Sequence, residues 1–330
     1  MFRRKPTGSI EFEGHEISRG TIFDVDYKPD MDEFVTASSD HALRIWDSRG
    51  RCKRELFKLN GHQEWVVACS YTSTGGIVSA GMDSRVLFWP RGSARAQDLG
   101  FHKNVSCLTV QENFCYTGGY DGCIKVWDLR RRKEVNSIPV GMGPIMSMCM
   151  NSSANCIFVG CKKCGVAAFD LGSQSIINKL KTKAPIICLS PSKDPRTVFA
   201  GNTAGEVIDV TYKRKWPLST VGTITDVVEA TAGNLFVSSA DGNVYHLFSS
   251  TGEFVPFDKH RSCPVTCLCS SDGIVVSGDA SGNLHAHEIE SGKLLWAFGG
   301  CLGAIRVMKY VEGVGLFVGG EAASGVLVQF

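Results

Sequence analysis

Long apolar runs, linkers and charge of one dominant sign are all missing from this sequence. No apolar stretch approaches the roughly 18 residues of a membrane span, so no membrane partner is expected. No Pro- or Ser-rich segment and no low-complexity tail interrupts the 330 residues, so residues 1–330 are expected to form a single domain. The formal net charge is only +2, from 35 Lys and Arg against 33 Asp and Glu, so bulk electrostatics demand neither nucleic acid nor a membrane surface. The basic start MFRRKPTG leads into no apolar stretch, which argues against a secretory leader and leaves a mitochondrial address open.

Catalytic signatures are missing too. There is no GxSxG, no P-loop, no dinucleotide fingerprint and no HExxH. No enzyme activity, catalytic residue or cofactor is therefore expected. Cys161 and Cys164 form a CxxC with no second pair at matching spacing, which reads as a structural turn rather than a zinc site. His285 and His287 share one strand face, as a metal pair would, but His287 falls at a repeated core position; no metal is assigned. The 14 cysteines also fail as a disulfide set. Cys69, Cys107, Cys188 and Cys267 fall at one recurring place in four different units, too far apart to bridge and suited to a small buried side chain. Free thiols imply a reducing compartment: the cytoplasm, or alternatively the nucleus.

What is present is rhythm. The stretch 101–130 reads as three short strands, with Asp121-Gly122 as a turn and CIKVW alternating as a half-buried strand. Within it His102, Thr117, Asp121 and Trp127 recur at offsets found twice upstream: His62, Ser79, Asp83 and Trp89, then His15, Thr36, Asp40 and Trp46. An indole N–H buried on the third strand needs an acceptor, which a hydroxyl on the second strand supplies. The hydroxyl donates to a His, and the turn Asp fixes the ring. Although this set has the composition of a catalytic triad, a hydroxyl committed to a buried indole has a structural role.

These residues resemble the WD-repeat family, whose repeats run from Gly-His to Trp-Asp over about 40–45 residues with four strands each. Here the pairs are Gly14-His15 with Trp46-Asp47, Gly61-His62 with Trp89, and His102 with Trp127-Asp128. The resemblance implies an all-β, eight-bladed propeller closed by its N-terminal strand, with seven blades as the alternative count. Units four to seven keep the spacing and lose the polar chain: Phe169, Val210, Leu247 and His287 stand at the Trp place, and Lys163 and Ala204 at the Asp place, while Asp241 and Ser277 survive. An eighth unit, 303–330, has only three strands, and residues 8–13 are expected to complete it.

The family's geometry also implies two interaction faces. On the face called top, Trp65, Met82 and Tyr120 are expected at the channel rim as a docking patch, since aromatic and Met side chains are enriched at binding hot spots. On the bottom face Arg49, Arg51, Arg130, Arg131 and Arg132 form the core of a basic arc suited to an acidic protein or, secondarily, to nucleic acid. Trp46-Asp-Ser-Arg49 and Trp127-Asp-Leu-Arg130 also resemble the WDxR signature of receptors for cullin-RING ubiquitin ligases, which implies a ligase adaptor as an alternative partner. The principal expectation is a non-catalytic scaffold that binds other proteins or peptides as a subunit of a larger complex.

Overall fold

A computed structural model describes the backbone of residues 8–12 and all of 20–57, 61–151, 155–163, 165–194, 196–218, 222–260, 263–271, 273–299, 303–321 and 325–329. Apart from one 3-10 turn at Pro29–Met31, their regular structure is β-strand. The strands form eight antiparallel four-stranded sheets. In seven of them the four strands are consecutive in sequence, beginning at Ile22, Val66, Val105, Ile145, Ile186, Ile224 and Val265. The eighth takes Ile305–Val311, Gly315–Gly320 and Gly325–Gln329 from the end of the chain and Gly8–Phe12 from its start. That last pairing is antiparallel, from Gly8 opposite Gln329 to Phe12 opposite Gly325. Eight is therefore the count, and the N-terminal strand completes the eighth sheet as expected.

The chain divides into two compact units, one of residues 142–305 and one of residues 6–141 with 306–330. Each has the same internal plan. The first strand of a sheet packs against the first strand of the next, from Ile22–Lys28 through Val66–Tyr71 to Val105–Gln111 in one unit. In the other unit the same contact runs from Ile145–Asn151 through Ile186–Pro191 and Ile224–Thr231 to Val265–Ser271.

Burial explains why the strands read differently. Second strands such as Ile77–Gly81 and Cys156–Cys161 are buried at every position, and their sequences IVSAG and CIFVGC are near-continuous runs of small and apolar residues. Fourth strands such as Lys133–Pro139 are largely exposed and carry the charge.

A β-bulge recurs near the start of the first strand in sheets one to seven. It corrects one expectation. Cys107, Cys188 and Cys267 follow the bulge directly, opposite Gly118, Gly201 and Gly278. Cys69 lies one residue further along, opposite Ser79, and one step along a pleated strand reverses the face. No disulfide joins any two of the 12 cysteines among the described residues. Cys161 closes the second strand of its sheet and is fully buried, while Cys164 lies outside the described residues.

The place that three cysteines share is taken in sheets one and six by Asp24 and Asp226. Each carboxylate reaches the next sheet of its own unit, accepting the amides of Cys69 and Leu268 at 2.9 Å. Burial pushes Asp24 up to about 7 and Asp226 up to about 6, against the pull of those amides.

Candidate functional site

In sheets two and three the polar chain forms where the sequence places it. In sheet two, Trp89 Nε1 donates to Ser79 Oγ at 2.8 Å, Ser79 Oγ meets His62 Nε2 at 2.8 Å, and His62 Nδ1 meets Asp83 at 2.9 Å. In sheet three, Trp127 donates to Thr117 at 2.8 Å, and His102 bridges Thr117 at 2.6 Å and Asp121 at 3.2 Å. In sheet one, Trp46 donates to Thr36 at 3.0 Å. Asp40 there takes a salt bridge from Arg44, and His15 lies outside the described residues. Burial pushes Asp83 up, but the His62 hydrogen bond and the amides of Gln63 and Arg85 outweigh it and hold its carboxyl below the usual range. Desolvation lowers His102 despite Asp121 beside it. Ser79, Thr117 and all three Trp rings are buried, so no reacting group could approach the hydroxyls.

One expectation about the later units is overturned. Sheet seven keeps a His–Ser–Asp chain: His260 Nε2 is 2.8 Å from Ser277 Oγ, and its Nδ1 is 2.9 Å from Asp279 Oδ2. The Asp has moved. It stands two residues after the Ser, at the register place of Gly81 and Gly119, opposite the first residue of its sheet's first strand. A Cβ built on Gly81 would come within 2.6 Å of His62 Nδ1, and one on Gly119 within 2.6 Å of His102 Nε2. That place aims at the ring, so a carboxylate there reaches the His directly and the usual turn Asp is replaced by Ser281. An Asp replacing the glycine, with Ser four residues after Ser277, is the sequence signal that would have found it.

The top-face residues are organised by a second recurring bond. The residue before each turn Asp place donates its amide to the carbonyl just before its sheet's first strand. The pairs are Ser39 to Thr21, Met82 to Trp65, Tyr120 to Asn104, Lys162 to Pro144, Thr203 to Pro185, Ala240 to Thr223 and Ala280 to Pro264, at 2.8–3.0 Å. Of these equivalent positions only Trp65, Met82 and Tyr120 carry a large apolar or aromatic side chain. Trp65 is 50% and Tyr120 41% exposed. Trp65 and Met82 are joined by the bond itself, and Phe23, which sequence reasoning missed, lies against Trp65 with ring centroids 5.6 Å apart. Phe23 is the residue left out of register by the first sheet's bulge, between Ile22 and Asp24. Tyr120 holds the place of Met82 in the third sheet.

On the opposite turns Arg49, Arg51, Arg130, Arg131 and Arg132 are all exposed. Asp47 accepts the Arg49 and Arg51 amides and pairs with the Arg51 guanidinium at 2.9 Å; Asp128 lies 3.7 Å from Arg131. The Asp of each Trp-Asp pair thus caps the turn and offsets part of its charge. Beside this arc a groove of about 430 Å³ is lined by Lys53, Arg54 and Arg91 above Tyr71 and Trp89. The buried Tyr71 hydroxyl has no hydrogen-bond partner among the described residues.

Comparison with known proteins now bears on this geometry. Residues 5–47, 53–90 and 95–128 match the family model described as WD domain, G-beta repeat. The crystal structure of the computationally designed Ika8 protein superposes over 97% of this chain and 98% of its own, with a TM-score of 0.80 and 22% identity. The Saccharomyces cerevisiae Sqt1 structure covers the same shares at a TM-score of 0.83 and 14% identity, so both likenesses concern the fold. Autophagy-related protein 16 of Arabidopsis thaliana is 25% identical over 80% of this chain and 47% of its own length. The U5 small nuclear ribonucleoprotein 40 kDa protein of Dictyostelium discoideum is 30% identical over 35% of this chain and 34% of its own. Telomerase protein component 1 of Rattus norvegicus is 30% identical over 42% of this chain and 5% of its own length. The chain thus spans less than half the length of each of these curated relatives. Its eight four-stranded sheets are propeller blades, and residues 5–128 of the chain carry WD repeats of the matched family.

Proposed function

We propose that this protein is a non-catalytic docking subunit that captures a peptide or partner domain through Trp65, Met82 and Phe23, with Tyr120 on the neighbouring blade. The observation that carries this reading is the concentration of large apolar side chains at two blades' worth of otherwise small or polar rim positions. An aromatic side chain loses little conformational freedom on binding and buries much area, which is why such residues anchor interfaces. The relatives named for a ribonucleoprotein and for telomerase fit a role inside a multiprotein assembly. Free, mostly buried thiols suit a reducing compartment, the cytoplasm or nucleus.

A second reading rests on the basic turns. The groove lined by Lys53, Arg54 and Arg91, with the unpartnered Tyr71 hydroxyl, fits an acidic side chain of a partner protein. Arg49 and Arg130 in the two WDxR stretches are exposed, as docking to a ligase adaptor would require. Nucleic acid is less favoured, because Arg51 and Arg131 already face carboxylates in their own turns.

Affinity purification of the wild type against Trp65→Ala/Tyr120→Ala separates these readings. Loss of the captured partners with an unchanged circular dichroism spectrum and melting temperature supports the aromatic patch. An unchanged partner set overturns it.

A further inference from the structure

Blade seven differs from blades one to three in more than the placement of its Asp. The third strand Leu284–Glu288 carries His287 where those blades carry Trp, opposite Val275 just as Trp89 is opposite Ile77. His287 is buried, its ring tilted 60° to Phe257 at 5.2 Å. Its neighbour on the same strand face, His285, is partly exposed. The fourth strand of blade six, Glu253–Lys259, brings Asp258 against both. Asp258 Oδ2 is 2.8 Å from His285 Nδ1 and 3.4 Å from His260 Nε2, and Oδ1 is 3.6 Å from His287 Nε2. The rings of His260 and His285 stack at 4.0 Å and 19°. One donor atom each from Asp258, His260 and His285 lies within 4.8 Å of the other two.

The roles of the ring nitrogens follow from the carboxylate on the far side. Asp279, an acceptor, sits 2.9 Å from His260 Nδ1, so that nitrogen donates and Nε2 carries the lone pair. Asp279 is itself held by the Asn283 side chain at 2.9 Å and by the amides of Ser281 and Asn283 at 2.8 Å. A carboxylate behind a histidine is the usual support of a metal-bound imidazole. That lone pair accepts from the Ser277 hydroxyl at 2.8 Å, and the Asp258 carboxylate lies 3.4 Å from the same nitrogen, close enough to share a cation with it once the hydroxyl turns away.

We propose that Asp258, His260 and His285 form a binding site for a divalent zinc-type ion, with His287 at the fourth position. Two or three imidazoles with one carboxylate are the donors of zinc sites and poor donors for magnesium or calcium. Zinc–ligand bonds of about 2.0–2.2 Å at tetrahedral angles set donor atoms about 3.3–3.5 Å apart. The 3.4 Å separation of His260 Nε2 from Asp258 Oδ2 matches that spacing, and His287 Nε2 lies 3.6 Å from the carboxylate's other oxygen, Oδ1. The 2.8 Å pair is a hydrogen bond whose proton the ion replaces, and it opens by about 0.5 Å on loading. Binding releases the His285 Nδ1 proton to solvent. The Ser277 hydroxyl, displaced from His260 Nε2, turns to the His285 carbonyl 3.4 Å away. Partial exposure of the Asp258 and His285 side chains, 13% and 22%, gives the ion a way in.

The test uses the full chain, stripped with chelator and titrated with Zn²⁺ by calorimetry and with Co²⁺ by absorption. The expected result is one saturable equivalent, a visible four-coordinate Co²⁺ spectrum without thiolate charge-transfer bands, and about one proton released. His285→Ala and Asp258→Asn each weaken Zn²⁺ binding by more than about tenfold, and Asp279→Asn by about 10–100-fold, while all three retain the wild-type circular dichroism. His285→Ala alters a partly exposed side chain and keeps the test independent of folding. Absence of saturable binding, thiolate bands from the chain's cysteines, or affinity indifferent to both His285→Ala and Asp258→Asn would each overturn the assignment.

Discussion

Replacing Ser79 by Ala removes a single buried oxygen that serves two partners. The Trp89 indole N–H, 2.8 Å away, loses its acceptor, and His62 Nε2, also at 2.8 Å, loses the hydroxyl. Both rings are buried, so water cannot replace what is lost. A buried polar group left unpaired costs about 1–3 kcal/mol, so two such groups cost about 2–6 kcal/mol together. Urea denaturation followed by tryptophan fluorescence reads this as a lower midpoint at constant slope. Ser79→Thr keeps the hydroxyl, as Thr36 and Thr117 supply it in blades one and three, and is expected to cost less than about 1 kcal/mol. A double-mutant cycle adds the decisive comparison. In the Ser79→Ala background His62 has already lost one partner, so His62→Phe costs less there than in the wild type, with a coupling of about 0.5–3 kcal/mol. If Ser79→Ala cost under about 0.5 kcal/mol, or the two changes were additive, the polar chain would not act as one unit.

Two further outcomes follow from the fold. Removing the chain through Phe12 strips Gly325–Gln329 of its strand partner, and the melting temperature is expected to fall well beyond the effect of trimming a tail; no change would refute the pairing. Asp24, pushed up to about 7 chiefly by burial, keeps its proton in the folded protein to about pH 7, whereas the unfolded chain releases it near its ordinary value of 3.8. The folded state binds more protons between those limits, so the Asp24 contribution to stability is full below about pH 4 and declines as pH rises toward 7. Asp24→Asn should flatten that decline, and equal pH slopes in denaturation midpoints for the variant and wild type would contradict it.

The architecture was legible because each blade repeats one chemical requirement. A buried indole needs a hydroxyl, and that fixed the positions of Trp46, Trp89 and Trp127 relative to Thr36, Ser79 and Thr117. Where the Trp was lost, spacing alone still located the strands, and Phe169 and Leu247 lie opposite Ile157 and Leu235 in the same register. What escaped was whatever departs from the repeat. The Asp279 substitution hid a polar chain because the carboxylate changed position while the contact it makes stayed the same. The bulge hid Phe23 against Trp65, because the extra residue falls outside the strand's alternation, and Cys69 escaped because it lies one residue past the place that its supposed equivalents share. Asp258 was invisible for a different reason: it comes from a neighbouring blade, and no periodicity within one repeat predicts what the adjacent fourth strand brings.

The pairing of Gly8–Phe12 with Gly325–Gln329 has a consequence for how the protein is made. Translation delivers the two strands roughly 310 residues apart, a delay of roughly 15–60 s at about 5–20 residues per second. Through that interval the early strand has an empty edge and no sister to zip onto. The nascent chain must therefore stay soluble with its clasp undone, and the last sheet can shut only after residues near 329 have cleared the ribosome.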